Sequence, residues 1–316
     1  MSNTDHREKN KSSPAAYGLI SLKGFCIGAA DVVPGVSGGT MALILGIYQR
    51  LLNAIRSFDI AALGLAFKFQ FRAFIRHTDL IFVAFLLLGI AFAIGFFTRV
   101  VPLPKLINTH PELVYGLFFG LIVGSVVVLI REQRDMKTSH WALLALGALL
   151  GFLVVNLVPT ETPQTWWFVM FAGAVAISAM ILPGLSGSFI LLILQKYAYI
   201  FDALGRLDLS VVVPFLAGCA MGLVAFSRVL SWLLKHYYEK TLALIIGLLI
   251  GSLWRIWPFQ DRVYVTVREK ARLIESTPVA PNQWDTSTFV SIGLALLGLV
   301  AVLVITKMAA RTRTQS

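Results

Sequence analysis

Residues 28–52 read GAADVVPGVSGGTMALILGIYQRLL, and residues 178–201 read SAMILPGLSGSFILLILQKYAYIF. In each stretch a Pro-Gly pair, a serine and a further glycine separate two apolar runs. Proline removes a backbone donor and restricts the residue before it, so each motif predicts the end of one helix and the start of another. The two stretches therefore predict helices that break at membrane depth.

The composition excludes a soluble domain. Of 316 residues, 57% are hydrophobic and 14% are charged, and long apolar segments recur along almost the whole chain. About 20 helical residues cross the roughly 30 Å hydrocarbon core of a bilayer, so an all-α polytopic membrane protein is predicted. The ten predicted apolar segments lie at about 17–33, 40–55, 80–98, 113–130, 141–158, 166–182, 189–203, 209–234, 241–257 and 287–306.

The formal net charge of +11 favours anionic lipid headgroups, not nucleic acid, as partners of so apolar a chain. Cys26 and Cys219 both lie in apolar segments and are interpreted as packing residues. No metal site and no cofactor is predicted, and the sequence leaves homo-oligomerisation open. The first apolar segment carries charged residues and continues into a break, so it is expected to belong to the mature fold.

The chain contains an internal duplication. Residues 33–59 align without gaps on 182–208, and ten of the 27 aligned pairs are identical. Each half has five apolar segments, an odd number, so the second half should enter the membrane upside down. This predicts two inverted repeats, typical of transporters, each with a broken-helix or re-entrant hairpin that carries a PGxSG motif. The predicted divisions are a tail at 1–16, a first repeat at 17–158, a second repeat at 159–309 and a tail at 310–316.

Lysine and arginine predict the orientation in the membrane. The loops at 56–79 and 131–140 and the last residues of the chain are rich in both, which places them in the cytoplasm together with both termini. The loop at about 258–286 is then extracytoplasmic, although it also carries basic residues.

One basic stretch predicts a helix of its own. Within about 57–77, Lys68, Arg72 and Arg76 recur every fourth residue among phenylalanines. This spacing favours an amphipathic helix at the cytoplasmic interface over an ordinary solvated linker helix.

The breaks carry the candidate binding site. Ser37 is placed to cap a helix that starts near Gly38, and helix N-termini bind anions, phosphate above all. The alternative is a kink that only relieves packing. The helix breaks are Pro34, Gly35, Pro183 and Gly184. The residues expected to bind a phosphate are Ser37, Gly38, Gly39, Thr40, Ser186, Gly187 and Ser188.

Ionisable residues near the apolar segments are candidates for phosphate contact and for proton coupling. Arg99 and Arg228 occupy matching positions in the two halves, and arginine is suited to bidentate phosphate contact. The alternative places Arg99 and Glu112 at the outer interface, where they would snorkel. Snorkelling is also the interpretation of Lys196 and His236. The candidates for proton coupling are Asp31, Glu112 and Glu239.

The motifs PGVSGGTMALILGIY and PGLSGSFILLIL resemble the bacterial polyprenyl-phosphate transporter family of the PopT type, formerly a domain of unknown function. The resemblance covers roughly residues 17–309, and it departs at Gln195, which stands opposite Gly46. It implies a flippase of the bacterial cytoplasmic (inner) membrane, not an enzyme. Such a flippase would return undecaprenyl phosphate from the outer to the inner leaflet for cell-envelope glycan synthesis. It supports the break and phosphate-binding residues named above, together with Asp31, whereas the roles of the arginines come from the residues alone.

Two other functions stay open at this point. An undecaprenyl-pyrophosphate phosphatase also uses broken helices and a Pro-Gly-x-Ser motif, but here no arginine follows the serine and no Glu-x-x-x-Glu pair lies in a membrane segment. The second alternative is a transporter or channel for a small anion. Release of phosphate from a lipid pyrophosphate would indicate the enzyme, and leaflet exchange without release would indicate the flippase.

Overall fold

A computed structural model describes residues 14–33, 36–101, 106–107, 109–133, 136–267, 270–281 and 284–314. The first half of the chain contains α1 (Pro14–Asp31), α2 (Gly38–Ile44), α3 (Tyr48–Arg56), α4 (Ile60–Phe67), α5 (Phe71–His77), α6 (Leu80–Arg99), α7 (Pro111–Glu132) and α8 (Thr138–Val155). The second half contains α9 (Trp166–Ile181), α10 (Gly187–Ile193), α11 (Tyr197–Gly205), α12 (Leu209–His236), α13 (Tyr238–Ile256), β1 (Gln260–Val267), β2 (Lys270–Pro278) and α14 (Thr286–Thr314).

The prediction of a polytopic α-helical membrane protein is confirmed. Within the described part of the chain, α6, α7, α8, α12 and α14 are long and apolar enough to cross a membrane. A further pair, α10 and α11, passes the same test together but is bent by 105° at a short break, as in a broken span or a re-entrant loop. Helix α9 is apolar but has only 16 residues.

The second and seventh predicted segments each consist of two short helices, not one. The turns between them contain Gly46, with φ of +68°, and Gln195, with φ of +50°, at matching positions of the two halves. The amide of Ile47 donates to the Ala42 carbonyl, and that of Lys196 to the Leu191 carbonyl, so both turns close in the same way. Glycine adopts this left-handed backbone without strain, whereas glutamine does so at a cost in energy. The turn is nevertheless the same in both halves.

The chain divides into two compact units, and each unit contains residues from both halves of the sequence. In the unit formed by residues 1–103 and 159–236, α1 packs along α6 and α9 packs along α12. A Cβ added to Gly89 would overlap the Ser21 carbonyl, and one on Gly218 would overlap that of Met170. These helix pairs therefore approach more closely than a larger residue would permit, as is common between membrane helices.

The other unit comprises residues 104–158 and 237–316. There α7 packs along α14 and α8 along α13, again with glycines at the closest approaches. Strands β1 and β2 form an antiparallel hairpin in which Gln260 lies opposite Pro278 and the register shifts between Val263 and Tyr264. The sequence was predicted to form a polar loop at about 258–286, although the alternating valines of β1 are typical of a strand.

The region expected to form one amphipathic helix at about 57–77 forms two, α4 and α5. Phe69 between them has φ of +53°, which ends α4. Asp59 caps α4 by accepting the Ala62 amide at 2.9 Å, and the His77 ring lies 3.1 Å from the same carboxylate. Ile60 and Phe67 on α4 are 85% and 81% exposed and Phe71 on α5 is 61% exposed, so both helices keep apolar surface outside the fold. Their position at a membrane interface stays a prediction.

Candidate functional site

The helices begin and end at the motifs as the sequence predicts. Helix α1 ends at Asp31 and α2 begins at Gly38, while α9 ends at Ile181 and α10 begins at Gly187. Pro34 and Gly35, the first predicted break, lie outside the described residues. In the second break Pro183 and Gly184 are buried, and Gly184 has φ of +92°, which only glycine adopts readily.

The first turn of α2 and the start of α3 contact the second break. The Gly184 amide donates to Thr40 Oγ1 at 2.9 Å, and the Tyr48 hydroxyl donates to the Ile181 carbonyl at 2.9 Å. A Cβ on Gly39 would lie 2.9 Å from the carbonyl oxygens of both Met180 and Ile181. Residues 133 to 144 positions apart in the chain thus form one cluster within the unit of residues 1–103 and 159–236.

The first break is closed by its own carboxylate. Asp31 Oδ1 accepts the Gly38 amide at 2.9 Å, so in this structure that amide already has an acceptor. Ser37 occupies the N-cap position with φ of −115° and ψ of 127°, but its side chain makes no capping hydrogen bond. The Ser37 hydroxyl is buried and has no partner among the described residues. Asp31, not Ser37, caps the start of α2, and the expectation that Ser37 does so is wrong.

The second break has no such carboxylate. Met180 stands where the first half has Asp31. Ser186 occupies the N-cap position of α10, and its hydroxyl pairs with that of Ser188 at 2.9 Å. Ser188 is exposed, and the amides of Gly187 and Ser188 have no acceptor in the described part of the chain. This helix start therefore has two amides without an acceptor and a hydroxyl pair of which Ser188 is exposed, and no carboxylate among the described residues accepts from them.

Lysines lie at the other ends of the two short helices. Lys23 Nζ donates to the Leu45 carbonyl just after α2, at 2.9 Å. Lys196, just after α10, is only 2% exposed, and its Nζ donates to the Thr162 carbonyl at 2.7 Å and lies 5.6 Å from the centre of the Phe168 ring. The expectation that Lys196 snorkels is therefore wrong. Its position at a helix C-terminus favours a cation, and sequence reasoning did not assign Lys23 a role.

Arg99 and Arg228, the arginines predicted to bind phosphate, make no described contact with the residues of the breaks. Arg99 ends α6 and Arg228 lies within α12, and both side chains are exposed. Neither makes a hydrogen bond or an ion pair with another described residue, so their contact with a phosphate stays a prediction.

The three predicted proton-coupling carboxylates lie in different places. Asp31 contacts the first break, as described above. Glu112 accepts the Ser287 hydroxyl at 2.6 Å, and Glu239, whose side chain is 68% exposed, lies 3.7 Å from the ring of His140. Both glutamates belong to the unit of residues 104–158 and 237–316. Of the three, Asp31 is the carboxylate whose contacts within the described residues include the broken helices.

Comparison with known proteins gives one consistent result. A family model described as VCA0040-like, undecaprenyl phosphate translocase-like, matches residues 27–274. The "Polyprenyl-phosphate transporter" of Vibrio cholerae serotype O1 is 39% identical over 274 residues, which cover 84% of this chain and 87% of that protein. The protein of the same description from Staphylococcus aureus is 30% identical over 256 residues, covering 75% and 85%. No solved structure matches the chain.

Proposed function

The chain belongs to the undecaprenyl phosphate translocase-like family, and on that basis we propose that it transports a polyprenyl phosphate across a membrane. The membership confirms the resemblance read from the two PGxSG motifs. The names of the family and of both relatives describe a transporter and not an enzyme. The geometric observation that carries the proposal is the start of α10, where two amides lack an acceptor among the described residues and a pair of hydroxyls includes that of the exposed Ser188.

The substrate's chemistry explains why such a site is needed. A phosphate monoester carries one to two negative charges at neutral pH and cannot enter hydrocarbon without partners that replace its water. The polyprenyl tail needs no enclosure, because lipid already surrounds it. A helix terminus contributes roughly 0.3–1 kcal/mol at an exposed site and up to about 2 kcal/mol at a partly buried one. This is far below the cost of desolvating the phosphate, so hydroxyls, cations and water must contribute as well.

In the proposed site the phosphate first meets the second break. Ser186, Gly187 and Ser188 donate to it, while Thr40 holds the loop in position through the Gly184 amide. Ser37, Gly38 and Gly39 join when the Asp31 carboxylate leaves the Gly38 amide. Arg99 and Arg228 supply the positive charge as the site opens to either side.

Asp31 is the proposed proton-coupling residue. Ionised, it fills the anion position at the start of α2, and a neutral Asp31 would yield that position to a phosphate. Glu112 and Glu239 remain further proposals for a proton relay.

The pairing of helices supports the proposal of an inverted repeat. Under the alignment of the halves, α1 with α6 corresponds to α9 with α12, and α7 with α14 corresponds to α13 with α8. Both correspondences fit the observed packing. Inverted repeats that exchange roles are a common basis of alternating access, so we propose movement of the carrier lipid from the outer to the inner leaflet of the bacterial cytoplasmic (inner) membrane, with both chain termini in the cytoplasm. The returned lipid would serve the synthesis of cell-envelope glycans.

The test is leaflet exchange in vesicles that contain the purified chain. A labelled short-chain polyprenyl phosphate should cross in protein-containing vesicles and not in empty ones. A Ser186→Ala, Ser188→Ala variant should slow exchange about tenfold or more, because lost hydrogen bonds to a charged group cost about 1.5–3 kcal/mol each. Exchange at the rate of empty vesicles by the wild-type chain would refute the function.

The same vesicles distinguish the alternatives. Inorganic phosphate released from an added lipid pyrophosphate would indicate a phosphatase. Flux of inorganic phosphate or chloride without lipid exchange would indicate a transporter or channel for small anions.

A further inference from the structure

A polar cavity lies between α3 and α12, apart from the breaks. Its volume is about 240 Å³, and it is lined by Arg56 near the end of α3 and Lys235 near the end of α12. Among the described residues no acidic side chain lines it, and neither cation makes an ion pair. Because helix C-termini each carry only about half a negative charge, two full cations leave the cavity net positive. It is therefore suited to an anion.

A buried hydroxyl faces the same cavity. Ser231 is 8% exposed, and its Oγ is enclosed and has no hydrogen-bond partner among the described residues. A buried polar group that lacks a partner destabilises the fold unless water or a ligand pairs with it. Ser227, one turn earlier on α12, is fully buried but donates to the Val224 carbonyl at 3.2 Å. Ser231 is thus the serine of this pair whose hydroxyl is left without a partner at the wall of the cavity.

The remaining walls match a phosphate headgroup and not a lipid tail. Leu52 and Leu234 close the cavity with apolar surface, and Gln49 and Asn53 add side-chain amide donors. A volume of about 240 Å³ has room for a phosphate group together with water. A polyprenyl chain must remain outside it.

Helix α3 connects this cavity to the breaks. Tyr48, its first residue, holds the second break by donating to the Ile181 carbonyl. Gln49, Asn53 and Arg56 recur at helical spacing on the face that lines the cavity. The rise from Tyr48 to Arg56 is about 12 Å, so a phosphate would travel two turns of helix between the two positions.

We propose that this cavity is a second binding site for a phosphate monoester, occupied as the headgroup moves between the breaks and the membrane face where α3 and α12 end. This inference rests on the proposed function. The residues assigned to it are Arg56, Lys235 and Ser231, with Gln49 and Asn53 as further donors. It differs from the site at the breaks because side chains, and not helix N-termini, supply the contacts.

Native mass spectrometry of the full chain in detergent tests the proposal by counting short-chain polyprenyl phosphates. The wild-type chain should bind two, and an Arg56→Gln, Lys235→Gln variant should bind one and exchange lipid about tenfold more slowly. The matched control is Arg206→Gln, which removes an exposed cation next to α11, the counterpart of α3. An Arg56→Lys, Lys235→Arg variant keeps both charges and should still bind two.

The serines provide a finer comparison. Ser231→Ala should weaken binding of the second lipid about threefold to tenfold, because one hydrogen bond to a charged group is lost. Ser227→Ala should leave it unchanged. Equal effects of the two substitutions would overturn the assignment of Ser231.

Competition identifies the ligand. Displacement of the second lipid by inorganic phosphate would support a site for the phosphate monoester group, whereas equal displacement by phosphatidylglycerol would overturn it in favour of a general anionic-lipid site.

If the wild-type chain and the Arg56→Gln, Lys235→Gln variant bind the same number of lipids with equal affinity, the cavity is not a site, although the proposed function stands as long as wild-type exchange is observed. A wild-type chain that neither binds nor exchanges the lipid would refute the proposed function itself.

Discussion

The two breaks have closely similar sequences and different surroundings. In the first, residues 36–40 are all buried, and Asp31 already occupies the start of α2. In the second, Ser188 is exposed, and Met180 takes the place of Asp31. A single change seven residues before the glycine that begins each helix therefore decides whether the helix start holds an internal anion or lacks one.

The contacts between the breaks show the same difference in role. The first half supplies side chains that hold the second break, since Thr40 accepts the Gly184 amide and Tyr48 donates to the Ile181 carbonyl. Tyr197, the counterpart of Tyr48, instead packs among apolar residues of the second half. The duplicated motif thus provides one structural copy and one copy that presents its donors, and the experiments below test that distinction.

The largest effect is expected from exchanging Gly39 and Ser188, which occupy the same position in the two motifs. In Gly39→Ser the new Cβ would lie 2.9 Å from two backbone carbonyl oxygens, so the fold should lose about 1–3 kcal/mol or more. In Ser188→Gly the fold should survive and transport should fall. The monodisperse fraction and the Tm in detergent measure the first effect, and leaflet exchange measures the second. Equal loss of Tm in both variants would end the distinction between a structural and a presenting copy.

A loss of about tenfold or more in phosphate affinity is expected when both Arg99 and Arg228 are replaced by alanine, since each charge-assisted contact contributes about 1.5–3 kcal/mol. Lysine at either position should do less harm, because it keeps the charge but loses the planar fork. If access alternates, Arg99→Ala and Arg228→Ala should impair exchange in opposite directions. Binding and directional exchange of a short-chain polyprenyl phosphate are the measurements. Wild-type exchange in the double variant would show that both arginines only reach solvent or headgroups.

A smaller effect on stability and a clear effect on pH dependence are expected at Asp31. In Asp31→Asn the amide oxygen can still accept from Gly38, so the free energy of unfolding should change by less than about 1 kcal/mol. Removal of the titrating group should flatten the pH profile of exchange. The reciprocal Met180→Asp should weaken phosphate binding by adding a negative charge to the open break. An Asp31→Asn profile identical to that of the wild type, with Asp202→Asn as the exposed control, would exclude Asp31 from proton coupling.

The smallest effect is expected for the capping of α4 by Asp59, just after the first pair of short helices, where the two halves of the chain differ in structure. Asp59 caps α4, whereas its counterpart Asp208 accepts the Ser210 amide at the start of α12. The Ala62 amide and the His77 ring lower the pKa of Asp59 below its ordinary value. The cap therefore stabilises α4 fully above about pH 3.9, the unfolded value, and this contribution is lost as pH falls through the lower folded pKa. Hydrogen exchange of α4 amides across this range should show the loss in the wild type and not in Asp59→Asn, and an identical pH dependence in both would contradict it.

Local chemistry in the sequence was sufficient for the positions of the long helices, but not for the turns that divide the shorter ones. Runs of apolar residues placed the spanning helices to within a few residues, and Pro-Gly placed the ends of the helices that flank the breaks, because both signals act between near neighbours. The same alignment put Gln195 opposite Gly46, and the two residues adopt the same left-handed turn. The carboxylate of Asp31 was recognised as a candidate from its place before the first motif.

The sequence by itself determined the membrane class, the two breaks and the residues that they carry. The tertiary structure alone decided which donors remain available, since that depends on contacts between distant residues. Asp31 takes the Gly38 amide, Thr40 takes the Gly184 amide from 144 residues away, and Ser231 meets α3 across a cavity. Two nearly identical motifs therefore differ in chemistry, because a backbone amide can be satisfied by any acceptor that the fold brings within about 3 Å.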